Sequence, residues 1–448
     1  MPTPGFHRKL TVGVVGAGLS AGTMLWSYRA YVRGLGYDTY GVWLLLTTVV
    51  TFLQLGSVGL TPAVAKLVAE ALGVGDREAA RVHIRTALLA VSACAVILAT
   101  SAAVLVPLAV PRLGLAPAQQ TLIVGWAPWV AALSAYAIGV DTFTAILPGA
   151  GRIDLQHWCQ TLMTVTTAVV SVVLLHAGMG VQALLIGQMA GYLAQHLMAA
   201  LCTRAVFADL RLWRGRPSMA SLRRLVDVGH NLIGSSVLQV LFVPVNRVLL
   251  AQHAGPAAVS IYELAYNGSM RFRNLFETGL RAVMPEVSRL SAVEPDPRAI
   301  TRLHGQAMKL LWIVVVPIYA AVWLVAPALI QAWLGDRATA TLIAAFRVTM
   351  AGALVSLFAV PAYYVLLGLG RTRPLFVEKL VQLGLALALV AGVLVPTHRV
   401  GAVTVSSAVA FGMAVSAVYL RRAYHLHLGA IGRTDAPLVA SRPLVAQS

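Results

Sequence analysis

Long runs of hydrophobic residues, separated by short polar stretches, recur along the whole chain. Each run has about 20 residues or more, the length that an α-helix needs to cross the hydrocarbon core of a bilayer, which is about 30 Å thick. Twelve such segments can be counted. They cover residues 10–31, 41–62, 85–108, 121–147, 155–176 and 182–203 in the first half, and 228–252, 259–290, 306–330, 340–367, 375–396 and 401–420 in the second. The pattern predicts an all-α integral membrane protein with twelve transmembrane helices.

The eighth segment carries a stripe of polar residues that helical spacing places on one face. Its members recur at steps of three and four and are Glu263, Asn267, Arg271, Asn274, Thr278 and Arg281. The preceding segment carries Asn231, Ser235, Gln239 and Asn246 at similar steps, followed directly by Arg247. Ionisable groups at membrane depth are costly and normally face a bundle interior or a water-filled cavity. We therefore interpret the two segments as part of the wall of a polar chamber.

A structural role for the same charges is the alternative. Arg271 can pair with Glu263 or Glu277, and Arg273 can pair with Glu277 at a spacing of four residues. Such pairs would hold helices together without contacting any ligand. For single residues the two interpretations stay open, but six polar groups on one face are more than packing requires, which favours the chamber.

The distribution of Lys and Arg predicts which helix ends face the cytoplasm. Only 11% of the 448 residues are charged and 58% are hydrophobic, whereas soluble domains have about 25% charged residues. If successive loops alternate between the two sides of the membrane, one side holds 25 Lys and Arg residues and the other five. Because basic residues are enriched in cytoplasmic loops, both termini are expected in the cytoplasm. The net charge of +18 is spread over these loops and does not form a nucleic-acid-binding patch.

The two halves of the chain resemble each other, which predicts two pseudo-symmetric bundles of six helices. In each half an arginine-containing helix end, a glycine turn and an aromatic residue precede the next helix, with Gly36 and Gly255 in equivalent positions. The offset between the halves is about 218 to 220 residues. Six helices give both halves the same orientation, so the axis relating them is expected along the membrane normal. The predicted parts are an N-terminal bundle at 1–203, a basic cytoplasmic linker at 204–227, a C-terminal bundle at 228–422 and a cytoplasmic tail at 423–448.

Basic residues outnumber acidic ones among the ionisable positions in or near the membrane segments. An excess of guanidinium groups suits an anionic ligand such as a pyrophosphate, whose oxygens they bind in bidentate fashion. The hypothesised ligand-binding residues are Arg29, Arg247, Arg271, Arg273, Arg347, Asn267 and Asn274. Asp141 and Glu263 could instead couple transport to H⁺ or Na⁺, although Glu263 is also a natural arginine partner. No other cofactor, no metal site and no catalytic motif is predicted.

Several short motifs occur in an order that resembles a known transporter family. They are Gly34-Leu-Gly36 with Tyr40-Gly41, Gly59-Leu60, Gly75-Asp76-Arg77-Glu78, Gly255-Pro-Ala-Ala-Val-Ser-Ile-Tyr262, Met284-Pro285-Glu-Val-Ser-Arg289, Gly368-Leu-Gly370-Arg371 and Arg399-Val-Gly401-Ala402. Across residues 8–422 they resemble the oligosaccharide flippase, or polysaccharide transporter (Wzx-type), family of the MATE-like (MOP) flippase superfamily. The resemblance implies a MATE-like fold and transfer of lipid-linked oligosaccharides between leaflets by alternating access. Many relatives carry an acidic residue where Asn246 stands, so no ion-coupling role is carried over to that position.

The expected function is that of a flippase and not of an enzyme. It would move a polyprenyl-pyrophosphate-linked oligosaccharide across the bacterial cytoplasmic (inner) membrane, through a cationic central cavity, for surface polysaccharide biosynthesis. Expected partners are this substrate, membrane lipids, and the polysaccharide polymerase and chain-length machinery, with no nucleic acid. A MATE-like cation or drug antiporter would prefer an acidic chamber, for which only Glu263 and Asp141 are available. A glycan polymerase or ligase usually needs a large outer loop, and the outer loops here are short.

Overall fold

The chain is helical throughout the part that the structure describes. The structure, a computed structural model, describes residues 4–54, 60–206, 216–281, 283–284, 286–287 and 297–434, and no β-strand occurs among them. The helices are α1 (Pro4–Gln54), α2 (Leu60–Gly73), α3 (Arg77–Ala109), α4 (Pro117–Thr144), α5 (Ile146–Gly149), α6 (Ile153–His176), α7 (Gln182–Val206), α8 (Met219–Leu280), α9 (Pro297–Leu310), α10 (Val316–Leu334), α11 (Ala340–Leu357), α12 (Val360–Gly368), α13 (Arg373–Leu389) and α14 (Ala402–Thr434). Short 3₁₀ segments at Val110–Leu113 and Gly335–Arg337 and π-helical segments at Leu311–Val315 and Val390–Leu394 continue some of them.

Eight helical stretches within the described ranges are long and apolar enough to cross a membrane. They are Arg77–Leu113, Pro117–Gly149, Ile153–His176, Gln182–Val206, Arg298–Arg337, Ala340–Gly368, Arg373–Leu394 and Ala402–Leu428. They coincide with the predicted segments three to six and nine to twelve. Large apolar side chains such as Val96, Ile97 and Ile313 are exposed on them, as expected for surfaces that face lipid. An all-helical, multi-pass membrane protein is confirmed, whereas the number twelve stays a prediction.

The four other predicted segments lie in α1 and α8, and each of these long helices is interrupted by a glycine. Gly36 has φ 72° and ψ 173°, and Gly255 has φ 80° and ψ 170°. A positive φ with extended ψ is accessible to glycine and strongly disfavoured for residues with a Cβ. Each glycine therefore divides its long helix into two. The second part of α8 ends at Leu280, residues 283–284 and 286–287 are helical again, and the rest of the predicted segment up to residue 290 lies outside the described residues.

The two interrupting glycines are part of a repeat that the backbone preserves in detail. Gly255 follows Gly36 by 219 residues, and Gly368 follows Gly149 by the same interval. A Cβ atom on Gly149 would lie 2.9 Å from Ala65 O, and a Cβ atom on Gly368 would lie 2.9 Å from Met284 O, which itself follows Ala65 by 219 residues. The same close approach of a helix end to a neighbouring backbone thus occurs twice. The interval agrees with the predicted offset of 218 to 220 residues.

The chain divides into two compact units, Met1–Ser260 and Ile261–Ser448. In the first unit α6 packs along α7, α3 packs along α4, and α1 contacts both α4 and α6. In the second unit α14 packs against α11 and α13, and α10 packs against α11. The first unit includes α8 up to Ser260, whereas the predicted C-terminal bundle begins at residue 228. The predicted domain bounds remain a prediction.

Small residues bring α6 and α7 into close contact. A Cβ atom on Gly187 would lie 2.0 Å from Ser171 Oγ, and one on Gly191 would lie 2.0 Å from Thr167 Oγ1. Because lipid tails are as apolar as the helices, helices in membranes associate mainly through close packing, which glycines four residues apart permit. The Gly187–Gly191 face therefore fixes the distance between these two helices.

The start of α8 is held against α2 and α3 by polar contacts. His83 Nδ1 and Ser221 Oγ are 2.6 Å apart, and the Ser218 N–H donates to Thr86 Oγ1 at 3.0 Å. Arg224 also lies 3.8 Å from a carboxylate oxygen of Glu70. In the predicted linker, residues 207–215 lie outside the described ranges, and the chain is helical again from residue 219. The end of the linker is therefore part of a docked helix.

Candidate functional site

The polar stripe on the second part of α8 changes from buried to exposed along its length. Glu263 is buried and accepts a hydrogen bond from Asn267 Nδ2 at 2.9 Å. Arg271, Asn274 and Thr278 are exposed. Arg271 forms no ion pair with any residue in the described part of the second unit. The stripe thus combines a carboxylate with a defined amide partner at one end and an accessible guanidinium group at the other.

Arg273, on a neighbouring face of α8, is tied into the fold. Its guanidinium group forms an ion pair with Glu277, one turn further along the helix. Its Nε donates to Ser356 Oγ on α11 at 2.8 Å, and the Tyr364 hydroxyl on α12 donates to Glu277 Oε1 at 3.1 Å. This is the structural pair that the sequence allowed as an alternative. Arg273 positions α8 against α11 and α12.

Arg347, on α11, bonds to the backbone of α10. Its Nε donates to Trp323 O at 3.1 Å and its Nη2 donates to Leu324 O at 3.2 Å. Its guanidinium carbon lies 4.6 Å from the centroid of the Trp323 ring. Pro327 has no N–H, so Trp323 O, four residues earlier, lacks the usual hydrogen bond within its own helix. Arg347 supplies a donor to a carbonyl group that would otherwise be unsatisfied in the membrane.

This arrangement predicts energetic coupling between Arg347 and Pro327. Replacing Arg347 with Ala leaves Trp323 O without a donor and is expected to lower the free energy of unfolding by about 2 kcal/mol. In a Pro327→Ala background, position 327 has an N–H, and the loss is expected to fall to about 1 kcal/mol. Denaturation of the purified single and double variants measures both values. Pro317→Ala, on the same helix, is the control background, in which Arg347→Ala should lower the free energy of unfolding as much as in the wild-type protein. An equal effect of Arg347→Ala in the wild-type, Pro327→Ala and Pro317→Ala backgrounds contradicts the assignment.

Arg247 brings a positive charge to α1 inside the first unit. It is 8% exposed, and its Nη1 donates to Leu44 O at 3.1 Å and to Thr47 Oγ1 at 3.2 Å. Thr48 Oγ1 lies 3.5 Å from the same nitrogen. Thr47 and Thr51 form an uncharged polar stripe on α1, and Arg247 places a guanidinium group beside it. Arg247 thus joins the first part of α8 to the polar stripe of α1.

Asp141 lies in a polar cluster between α4 and α7. Gln195 Nε2 is 3.4 Å from Asp141 Oδ1 and 3.4 Å from Thr144 Oγ1. Nearby, the Tyr136 hydroxyl and His196 Nδ1 are hydrogen-bonded at 2.8 Å. Asp141 forms no ion pair with residues in the described ranges. A carboxyl group within a membrane helix is costly as a bare anion, and such groups often mark ion or proton pathways.

The predicted site residues of the first unit occupy three separate places. Arg247 contacts α1, Asp141 contacts α7, and Arg29 lines a groove between α1 and α6. The side chains of the predicted polar positions Asn231, Ser235 and Gln239 lie outside the described part of the chain. No group of three or more His, Cys, Asp or Glu residues that could hold a metal ion occurs within the described ranges.

Sequence reasoning missed the residues that complete these contacts. Ser356 and Tyr364 complete the Arg273 network, and Gln195 contacts Asp141. Tyr192 and Gln195 are polar residues three apart in an apolar segment, a spacing that places both on one face of α7. This signal could have identified a polar partner for Asp141, although not its position in space.

Comparison with known proteins gives one family match and a consistent fold. A family model described as a polysaccharide biosynthesis protein matches residues 32–341. No curated protein sequence matches the chain. The chain is similar to the inward-facing conformation of a multidrug resistance MATE family transporter of the MOP superfamily, with a TM-score of 0.75 and 17% identity over 93% of this chain and 99% of that one.

Two further solved structures have the same fold. The lipid II flippase MurJ, in an inward closed conformation, matches with a TM-score of 0.71 and 12% identity over 92% of this chain and 86% of that one. A MOP superfamily transporter from Pyrococcus furiosus Vc1 (DSM3638), described as having a binding pocket of reverse polarity that suggests a different function, matches with a TM-score of 0.66 and 14% identity over 95% of this chain and 96% of that one. At these identities the likeness shows the fold alone. It confirms the predicted MATE-like fold.

Proposed function

The chain belongs to the polysaccharide biosynthesis protein family, and we propose that it is a flippase for a polyprenyl-pyrophosphate-linked oligosaccharide. It has twelve transmembrane helices in two bundles of six, with both termini in the cytoplasm, and it lies in the bacterial inner membrane. The oligosaccharide crosses by alternating access and is then used for surface polysaccharide synthesis. The chain moves this substrate without making or breaking a covalent bond.

The guanidinium group of Arg271, which is accessible and forms no ion pair with the described residues, is the observation that carries this proposal. A charged side chain in an apolar helix is costly unless it meets water, a partner or a ligand. A pyrophosphate presents several anionic oxygens, which a guanidinium group binds in bidentate fashion. Asn274, exposed on the same helix face, offers an amide that both donates to and accepts from sugar hydroxyl groups.

The contacts of the other candidate site residues indicate which of them position helices and which can bind substrate. Arg273 is neutralised by Glu277 and Arg347 is engaged by α10, so both position helices. Glu263 accepts a hydrogen bond from Asn267, and Arg271 is an accessible cation within the α8 stripe. In the first unit Arg247 is buried and bonds to Leu44 O and Thr47, so it also positions helices. Substrate binding is therefore assigned to Arg271 and Asn274.

The cluster around Asp141 supports coupling of transport to an ion gradient. An intramembrane carboxyl group that hydrogen-bonds Gln195 and forms no ion pair within the described ranges can carry a proton or Na⁺ through a transport cycle. The same cluster is the main support for a MATE-like cation or drug antiporter as the alternative function. The accessible positive charge of Arg271 disfavours a cationic substrate, because like charges repel.

Asp141→Asn is expected to uncouple transport from the ion gradient. The amide can keep the contact with Gln195 but cannot exchange a proton. Moving one charge down a potential of 100 mV releases about 2.3 kcal/mol, and this driving force is lost in the variant. Export measured with and without an uncoupler should therefore become equal for Asp141→Asn. Asp38→Asn, at an exposed position outside the membrane segments, should keep the wild-type response; an uncoupler effect of wild-type size in Asp141→Asn contradicts the assignment.

The proposed partners follow from the substrate. The lipid-linked oligosaccharide and membrane lipids contact the helices directly, and the polysaccharide polymerase and chain-length machinery receive the product. No nucleic acid is involved.

Deletion of the gene tests the function in cells. Radiolabelled lipid-linked oligosaccharide is followed in each leaflet of the inner membrane in wild-type, deletion and complemented strains. Accumulation on the cytoplasmic side in the deletion strain, reversed by the wild-type gene, is the expected result. A normal leaflet distribution with a block at a later polymerisation step contradicts the flippase assignment and favours the glycan polymerase or ligase alternative.

A further inference from the structure

A groove between α1 and α6 in the first unit shares no lining residue with the Asp141 cluster. It encloses about 430 Å³, and its lining includes Trp26, Arg29, Arg33, Gly34, Leu175 and His176. This volume is within the usual range for small-molecule sites, about 300–1,000 Å³. All of these residues belong to the first unit. The distribution of basic residues predicts that the end of the first part of α1, next to Gly36, faces away from the cytoplasm.

The lining of the groove combines two guanidinium groups with apolar side chains. Arg29 is half-buried and Arg33 is exposed, and neither forms an ion pair with residues that the structure describes. They are four residues apart on one helix face, where like charges repel. An anion bound between them would relieve this repulsion and satisfy both groups.

The other lining residues indicate that the anion is attached to an apolar chain. Trp26 is 49% exposed, and tryptophan is enriched where membrane helices meet lipid headgroups. Gly34 lies beside Leu175, since a Cβ atom at this position would be in van der Waals contact with a leucine carbon at 3.8 Å. His176 is fixed at the end of α6 by donating from Nδ1 to Val172 O at 2.7 Å. The groove is thus lined by both cationic and apolar side chains.

From this arrangement we propose that the groove binds the phosphate of an anionic membrane lipid. The phosphate accepts hydrogen bonds from Arg29 and Arg33, Trp26 lies at the headgroup level, and the hydrocarbon chain follows Leu175 towards the bilayer centre. The chemistry fits an anionic phospholipid and a polyprenyl-pyrophosphate lipid alike. This site does not depend on the proposed transport of oligosaccharide, since binding can be measured without any transport.

The two arginines have a simpler alternative role. The first part of α1 ends near Gly36, and cations in the last turn of a helix offset its partial negative charge. Under this alternative the arginines stabilise the helix and do not distinguish one lipid from another. Lipid selectivity therefore separates the two roles.

The test is a titration of the purified full-length protein with defined lipids, followed by native mass spectrometry. The probes are phosphatidylglycerol, undecaprenyl pyrophosphate, zwitterionic phosphatidylcholine and inorganic phosphate as a competitor. The wild-type protein is expected to prefer the two anionic lipids to phosphatidylcholine. Arg33→Ala should reduce this preference about fivefold, and Arg29→Ala/Arg33→Ala about thirtyfold. Tighter binding of phosphatidylglycerol identifies a phospholipid site, and tighter binding of undecaprenyl pyrophosphate identifies a site for the lipid carrier.

Two controls keep the result decisive. Arg112→Ala removes an exposed arginine of the first unit that does not line the groove, and it should leave the preference unchanged. Arg33 is exposed, so its single variant should fold even if the double variant does not. An unchanged preference in Arg33→Ala, equal binding of phosphatidylcholine by the wild-type protein, or displacement of the lipid by inorganic phosphate overturns the proposal.

Discussion

Arg271→Ala is expected to abolish export of the lipid-linked oligosaccharide while the protein still accumulates in the membrane. Arg271 is exposed and forms no ion pair with any described residue, so its removal breaks no described ionic contact. A hydrogen-bonded charge pair with a pyrophosphate contributes about 2 kcal/mol, which corresponds to about a thirtyfold loss of substrate affinity. Quantification of surface polysaccharide and of the membrane-inserted protein in the same cells measures both effects.

Arg399→Ala is the matched control for this prediction. Arg399 is also exposed in the second unit, but it lies in the connection before α14, outside the α8 stripe. Its replacement should leave both export and abundance near wild-type levels. Arg271→Lys keeps the charge but loses the bidentate geometry, and intermediate export is expected. If Arg271→Ala lowers protein abundance and export by the same factor, Arg271 has a structural role and substrate binding must be assigned elsewhere.

Gly41→Ala is expected to have the largest effect on stability. A Cβ atom on Gly41 would lie 1.9 Å from Pro256 O, so the second part of α1 and the turn after Gly255 could not approach as they do. Ser260 Oγ fixes the same contact by donating to Tyr37 O at 2.6 Å. Overpacking of this kind costs about 3 kcal/mol where backbone must move. Thermal denaturation followed by size-exclusion chromatography should show a clearly lower melting temperature.

Gly22→Ala provides the comparison for this change. Gly22 is in the first part of α1, and a Cβ atom there would have no neighbour within 4 Å. Alanine has a higher helix propensity than glycine, so this variant should be as stable as the wild-type protein or slightly more stable. Equal melting temperatures for Gly41→Ala and Gly22→Ala contradict the close contact between Gly41 and Pro256.

The repeat of this contact explains why so much of the fold can be predicted. Tyr37 and Pro256 are 219 residues apart, and so are Gly41 and Ser260. The contacts Gly41–Pro256 and Ser260–Tyr37 are therefore equivalent under the internal repeat. Segment length, apolar composition and glycine turns are local properties of the sequence. Because the bilayer fixes helix length and satisfies no backbone polar group, these properties largely determine the helices.

The partners of the charged residues could be predicted only where they are close in sequence. The Arg273–Glu277 pair spans four residues and was foreseen as an alternative. The contact between Arg273 and Ser356 spans 83 residues. Helical spacing determines which face carries a side chain, but the register between distant helices depends on packing along their whole length. The sequence therefore identified the stripe and could not separate its ligand-binding residues from its structural ones.

The hydrogen bonds between Arg347 and α10 also join residues that are distant in sequence, so they could not be predicted from it. The absence of an N–H at Pro327 is visible in the sequence, but the donor that replaces it comes from α11. Arg347 was predicted to bind ligand because its position within an apolar segment is unusual. The structure gives that position a physical reason that involves the backbone. A charged side chain in a membrane helix can thus donate a hydrogen bond to a backbone carbonyl group instead of binding a substrate.

Translocation by the purified protein is the most direct test of the central claim. Wild-type protein and Arg271→Ala are reconstituted into liposomes that contain a fluorescent polyprenyl-pyrophosphate-linked oligosaccharide in both leaflets, and a membrane-impermeant quencher reports the outer leaflet over time. The wild-type protein is expected to make the whole lipid population accessible to the quencher, whereas Arg271→Ala should leave the inner-leaflet fraction protected. Equal access with wild-type protein, Arg271→Ala and protein-free liposomes would contradict the assignment of the chain as a flippase.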